Sequence, residues 1–247
     1  MYLNMFDLNN KTALITGSTQ GIGLAVAECF HEYGAKVFIH GGSSIEKCEK
    51  AAANLGNKAV PVLADLSLAD CADTFYEQTG DIDILVLNAS VQYRNPWDKI
   101  TSDEFDNQIK VNLKSSFELI QKYAPAMIAN YWGRIITIGS VQEYKPHKDM
   151  AVYAASKAGL LNLTMNLAKQ FAPHGVTVNN ISPGVIDTPR NKTALENTEY
   201  AKKIFAGIPN GYAGSAHDCA GSVLLLASEA GKYITGSDIV IDGGMKL

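Results

Sequence analysis

Cysteine is scarce: the 247 residues hold four, Cys29, Cys48, Cys71 and Cys219, and none forms a Cys-x-x-Cys pair. That excludes a disulfide framework and the common thiolate metal motifs. His31, His147, His174 and His217 share no metal-ligand spacing, so no metal site is expected. Basic residues are not in excess, 21 against 25 acidic for a net charge of −4, which argues against a nucleic-acid partner. No apolar run approaches the ~18 residues of a membrane span. The stretch from Met1 to Lys11 has no basic-then-apolar signal pattern, and the expectation is a soluble, cytoplasmic protein with no membrane partner. Linkers, low-complexity tracts and repeats are missing too, so residues 1–247 read as one domain. What remains, 47% hydrophobic and 19% charged residues, is ordinary globular composition and excludes a disordered chain.

Short apolar runs rich in β-branched residues alternate with longer stretches of helical period. The predicted strands are 13–16, 36–39, 59–63, 84–88, 134–138, 177–181 and 238–241, most of them continuously apolar as in strands covered on both faces. Helices are predicted over 21–33, 45–55, 68–78, 103–130, 151–171 and 216–227. Ser43 before Glu46, Ser67 before Asp70 and Ser215 before Asp218 fit capping boxes. Such alternation implies an α/β fold, right-handed crossovers and one doubly wound, parallel sheet. The stretch 188–214 is polar and poorly periodic, as expected of a lid over a site.

Directly after the first strand the chain reads Gly17, Ser18, Thr19, Gln20, Gly21, Ile22, Gly23. Glycines let backbone approach a pyrophosphate closely, and a helix N-terminus offers unpaired N–H groups with partial positive charge. A ribose-binding acid is expected where the second strand ends, yet that strand runs into His40-Gly41-Gly42-Ser43-Ser44. With no carboxylate to repel a 2′-phosphate, NADP is the expected cofactor ahead of NAD, with Ser43, Ser44 and His40 as donors.

Tyr153 and Lys157 lie four apart at the start of an alanine-rich helix, which stacks them on one face. An ammonium there favours the phenolate form of a tyrosine poised to exchange a proton. Ser140 follows the fifth strand, at the carboxyl edge where open α/β sheets bind ligands. Asn112 sits inside a helical run, a place where asparagine is mildly unfavourable.

Together these residues resemble the short-chain dehydrogenase/reductase family over nearly the whole chain. The glycine loop matches its cofactor loop, Asp65-Leu66 its adenine-contacting pair, and Asn88, Ala89 and Ser90 part of its Asn-Asn-Ala-Gly motif. Asn112, Ser140, Tyr153 and Lys157 match its catalytic tetrad, and Pro183, Gly184, Ile186 and Thr188 the stretch after its sixth strand. Leu87 and Ser90 depart from the Asn-Asn-Ala-Gly motif, and Gly139 stands where the family often has a serine. The nearest likenesses are glucose 1-dehydrogenases and 3-oxoacyl carrier-protein reductases.

The resemblance implies a Rossmann-type sheet of order 3-2-1-4-5-6-7, a homotetramer, and reversible hydride transfer between a nicotinamide and a carbonyl. Tyr153 would be the general acid–base, Ser140 the donor to the substrate oxygen and Lys157 the ribose ligand. Asn112 would hold a relay water through its carbonyl in a distorted helix. Polar and aromatic residues in the edge loops, Gln92, Tyr93, Arg94 and Trp97, then Gln142, Glu143, Tyr144 and His147, suit a small hydroxylated substrate such as a sugar or polyol. A 3-oxoacyl thioester is the alternative, with Lys99, Lys114, Lys122 and Arg134 as a diffuse basic patch for a carrier protein. A non-catalytic sensor or structural subunit would have little need of all four tetrad residues.

Overall fold

The computed structural model describes residues 2–247; Met1, part of the predicted domain span, lies outside the described residues. Seven parallel strands form the sheet: β1 Thr12–Ile15, β2 Lys36–Gly41, β3 Ala59–Leu63, β4 Ile84–Leu87, β5 Gly133–Ile138, β6 Val176–Pro183 and, at the far edge, β9 Asp238–Ile241. Their order is β3-β2-β1-β4-β5-β6-β9, as expected for a doubly wound sheet whose order reverses between β1 and β4. A two-stranded parallel ladder, β7 Ile186–Asp187 with β8 Gly214–Ser215, closes the base of the predicted lid segment and had no counterpart among the expected strands.

Alternate residues of each strand feed opposite faces, which is the period-2 rule of the pleat. Ala13, Ile15, Val37 and Ile39 pack with Phe30 and Val223, from α1 Gly21–Glu32 and α9 Ala216–Ala227. Leu14, Phe38, Leu85 and Ile135 pack on the other face with Phe75, Tyr123 and Leu167. These come from α3 Cys71–Thr79, α5 Ser115–Ala129 and α6 Ala151–Phe171. Each of the valine, leucine, isoleucine and phenylalanine side chains contributes about 1.5–3 kcal/mol on burial.

Helix starts differ from two of the three expected boxes. Ser215 and Asp218 form the full box at α9. At α2 Ile45–Leu55 the cap is Ser44, whose Oγ accepts from Lys47 N and donates to Glu46, leaving Ser43 one residue early and exposed. The third helix begins at Cys71, later than the predicted 68, because Asp65 accepts the backbone N–H groups of Ser67 and Leu68 in a turn. The single helix expected over 103–130 is three joined pieces: α4 Ser102–Ile109, a π-helical stretch Lys110–Lys114, and α5. Two short helices, α7 Lys192–Glu196 and α8 Thr198–Ala206, occupy the segment whose periodicity was too poor to predict any. Among the described residues no helix is long and apolar enough to cross a membrane.

Candidate active site

One cavity of about 390 Å³ opens along the carboxyl ends of the strands. Its floor is the turn between β1 and α1, lined by Gly17, Thr19, Gln20, Gly21 and Ile22. Gly17 and Gly21 adopt φ of +64° and +59°, the left-handed region where a Cβ is strained. A Cβ on Gly17 would also stand 3.0 Å from Ala89 Cα, and one on Gly23 would lie 2.5 Å from Gly17 O. Asn88 Nδ2 clamps the turn by donating to Thr16 O and Gly17 O at 2.9 and 3.0 Å. A loop that leaves room for no side chain and opens a helix is the cradle a pyrophosphate needs, so the residues present fit a dinucleotide.

Several expected cofactor contacts are structural instead. Ser18 is fully buried; its Oγ donates to Ile15 O and accepts from His40 N. Gly23 packs beneath the turn rather than lining the cavity. His40 is 1% exposed, its Nδ1 accepting from Gly17 N and its Nε2 donating to Ala64 O. Both ring nitrogens are used and burial pulls its pKa down to about 4, so it is neither free nor charged to meet a phosphate. Ser43 is exposed just beyond Gly42, which lines the cavity. Asp65 is exposed at the end of β3 and Leu66 is buried in the core, both outside the lining. On the other side of the floor, Asn88, Ala89, Ser90, Pro183, Gly184, Ile186 and Thr188 do line it.

The four tetrad positions converge, though not all on the cavity. Ser140 and Tyr153 line it at 8% and 6% exposure. Lys157 is buried with Nζ 2.6 Å from Ile138 O at the end of β5 and 5.8 Å from the Tyr153 ring centre. Burial, then the positive charge of Arg190, pushes its pKa down to about 7, against the pull of Glu143. Asn112 is buried in the π-helical stretch, which realises the expected distortion. Its side chain accepts from Val91 N and donates to Val91 O and Ser156 Oγ. Ser156 in turn donates to Tyr153 O, so the asparagine braces the turn that carries the tyrosine.

The family departures also have physical reasons. Leu87 ends β4 inside the core, and Ser90 accepts from Arg190 through both Oγ and O, at 2.9 and 2.7 Å. A side chain on Gly139 would collide with Glu143 Oε1. Glu143 was expected on the rim but turns inward, accepting from Ser140 N at 2.9 Å and Ser182 Oγ at 3.0 Å. Burial lifts its pKa to about 7.

Of the other edge-loop residues, Gln92, Arg94, Gln142 and His147 line the cavity. Tyr93 does not; its hydroxyl is held by Asn107 Nδ2 at 2.7 Å on α4. Tyr144 donates to Asp238, and Trp97 is 80% exposed beside a separate shallow depression. Missing from the expectations were Arg190, Asn191, Leu195, Tyr200 and Ile204, which the 188–214 segment lays across the opening. Their only signal was the insertion itself. The basic patch does not assemble: Lys99, Lys114 and Lys122 each pair with a neighbouring acid, and Arg134 is buried against Glu229.

Residues 17–246 match the family model described as "Enoyl-(Acyl carrier protein) reductase". The chain is 36% identical over 243 residues to a 3-oxoacyl-[acyl-carrier-protein] reductase of Rickettsia bellii, covering 98% of this chain and all of the relative. It superposes on a 3-oxoacyl (acyl-carrier-protein) reductase of Agrobacterium tumefaciens with NADP bound, at TM-score 0.93 and 34% identity over 97% of this chain and 96% of that one. A gluconate 5-dehydrogenase of Burkholderia cenocepacia in complex with NADP and tartrate matches at TM-score 0.92 and 32% identity, over 99% and 98% of the two chains.

Proposed function

The chain belongs to the short-chain dehydrogenase/reductase family and is an NAD(P)-dependent oxidoreductase of CH–OH and carbonyl groups, and on that premise we propose that it oxidises or reduces a sugar, a polyol or a similarly hydroxylated small molecule. The observation that carries this is the meeting of Ser140 and Tyr153 on one cavity with a phosphate-sized glycine turn as its floor. When bound, NAD(P) supplies or accepts the hydride. The turn from Gly17 to Ile22 would hold its pyrophosphate, Lys157 and Asn88 to Ser90 the nicotinamide ribose, and Ile186 and Thr188 the carboxamide. Asp65 would reach adenine from the end of β3. NADP is preferred because Gly41, the last residue of β2, and Gly42 after it line the cavity without an acid, with Ser43 exposed beside them.

Tyr153 gives a proton to the substrate oxygen during reduction and takes it back during oxidation. Ser140 donates to the same oxygen and stabilises its developing charge. Lys157 fixes the electrostatics of the tyrosine, and the Asn112 carbonyl holds the water that continues the relay. Gln142 and Gln92 orient the substrate hydroxyls, and the 188–214 segment acts as the lid. A 3-oxoacyl thioester is the second reading, favoured by the names of the Rickettsia and Agrobacterium proteins. The paired lysines and buried arginine weigh against a carrier-protein docking patch. Assaying polyols, aldoses and their acids with NADP⁺ against an acetoacetyl thioester with NADPH separates the two: turnover of the thioester alone overturns the first reading.

Cytoplasmic location and a homotetramer belong to the same proposal. Supporting the assembly, α4, α5 and α6 leave Phe105, Phe117 and Met165 exposed. Light scattering should give four copies; a monomer at micromolar concentration overturns it.

A further inference from the structure

The chain is acidic overall, yet no aspartate or glutamate is among the residues lining its cavity, while Lys157, Arg190 and Arg94 are. Two of the three have partners that account for them. Lys157 is buried on Ile138 O beside Tyr153, and Arg190 is engaged twice by Ser90. Arg94 is different. Its recorded bonds run from Nη2 alone, to His147 Nε2 at 3.0 Å and to the Tyr200 hydroxyl. Neither partner is a carboxylate; burial, then the charge of Arg94 itself, lowers the pKa of His147, against the pull of Asp149. Among the described residues no carboxylate forms an ion pair with Arg94, and Nε and Nη1 make no recorded bond.

An exposed guanidinium on the cavity wall, with no carboxylate partner and donors to spare, can take a planar anion. A contact chain joins it to the reacting end. Gln142 N donates to Ser140 Oγ, Gln142 Oε1 accepts from His147 N, and His147 Nε2 lies 3.0 Å from Arg94 Nη2. Gln142 and His147 thus line the path between the substrate's oxygen at Ser140 and the cation at Arg94, so one molecule can meet both. Tyr200, on α8, couples that cation to the lid segment.

We propose that the substrate is a hydroxy acid or its oxo acid, of the aldonate type, whose carboxylate binds Arg94 with His147 and Tyr200 orienting the guanidinium. This rests on the hydroxylated-substrate reading above and narrows it to anions. The test uses the NADP⁺-loaded enzyme with D-gluconate and D-threonate against D-sorbitol and D-threitol, their neutral counterparts of equal length, with acetoacetyl thioester and NADPH in parallel. The expected result is a higher kcat/KM for the acids, falling with ionic strength as steered encounters do. Arg94→Gln should lower the acid-over-polyol preference by about ten- to a hundredfold, mainly through KM, the range expected for losing one charged hydrogen-bond partner. Arg94→Lys should recover part of it. Polyols turned over as well as the acids, or a preference unmoved in Arg94→Gln, overturns the anionic inference and leaves the hydroxyl-oxidoreductase reading intact. Turnover of the thioester alone, or of no hydroxylated compound, overturns that reading and the inference with it.

Discussion

Tyr153 does two jobs at once, as a cavity wall and as the proton carrier, and substitution separates them. Tyr153→Phe keeps the ring and its packing, so cofactor affinity measured by NADPH fluorescence should stay within about twofold while turnover falls at least about a hundredfold. More than a tenth of wild-type turnover would refute the assignment. Single residues also mark where sequence reasoning reached its limit. Tyr153, Lys157 and Ser140 were legible because helical spacing stacks the first two, a strand end carries the third, and with Asn112 they match a family motif. His40 and Ser18 were misread because proximity to the loop says nothing of side-chain direction: in this fold Ser18 bonds Ile15 of β1 and His40 of β2, and the His40 ring bonds Gly17 of the turn and Ala64. Glu143 was misread for a related reason. The missing side chain at Gly139 leaves a space that only the folded chain reveals, and the carboxylate fills it.

At the scale of elements, the π-helical stretch Lys110–Lys114 is where a local oddity in the sequence became geometry. An asparagine buried in a helix must find partners, and Asn112 finds them on the Val91 backbone and on Ser156. Removing it strands those groups, so Asn112→Ala should cost about 2–4 kcal/mol, from the penalty for each buried unsatisfied group. Urea denaturation would read this, and a loss below about 1 kcal/mol would contradict the bracing role. The core strands and most helices were legible because both faces of the sheet are apolar, which leaves continuous runs easy to place. Helix ends were less so: Ser43 with Glu46 fits the capping-box spacing, yet in the fold Ser44, with Lys47 three residues on, takes the cap. The α7 and α8 helices were missed because α7 is only five residues long and the apolar spacing of Tyr200, Ala201, Ile204 and Phe205 in α8 is flanked by polar, irregular sequence.

The whole molecule carries its buried ionisable groups as pH sensitivity. His40 has a folded pKa near 4 against an unfolded value near 6.5. The unfolded chain therefore binds its proton first, and the stability from His40 is complete above pH 6.5 and lost as pH falls toward 4. The span corresponds to roughly 3 kcal/mol. Glu143 works in the opposite sense: its folded pKa of about 7 lies above the unfolded value, so it favours folding increasingly as pH drops from 7 to 4.5. Thermal melts from pH 7 to 4 should show a shallower acid loss in His40→Gln than in the parent chain; equal slopes would argue that His40 is not the acid-sensitive group. The bridge from Arg190 to Ser90 bears on tempo. It ties the segment after β6 to the loop after β4 across the mouth of the cleft. A coenzyme passing between those loops would have to break this bridge, which predicts that the bridge slows coenzyme release. Stopped-flow release from Arg190→Ala should be faster than from the parent, and an unchanged rate would remove the clasp from the cycle. On this expectation Arg190 would lengthen the residence of bound coenzyme at the expense of turnover.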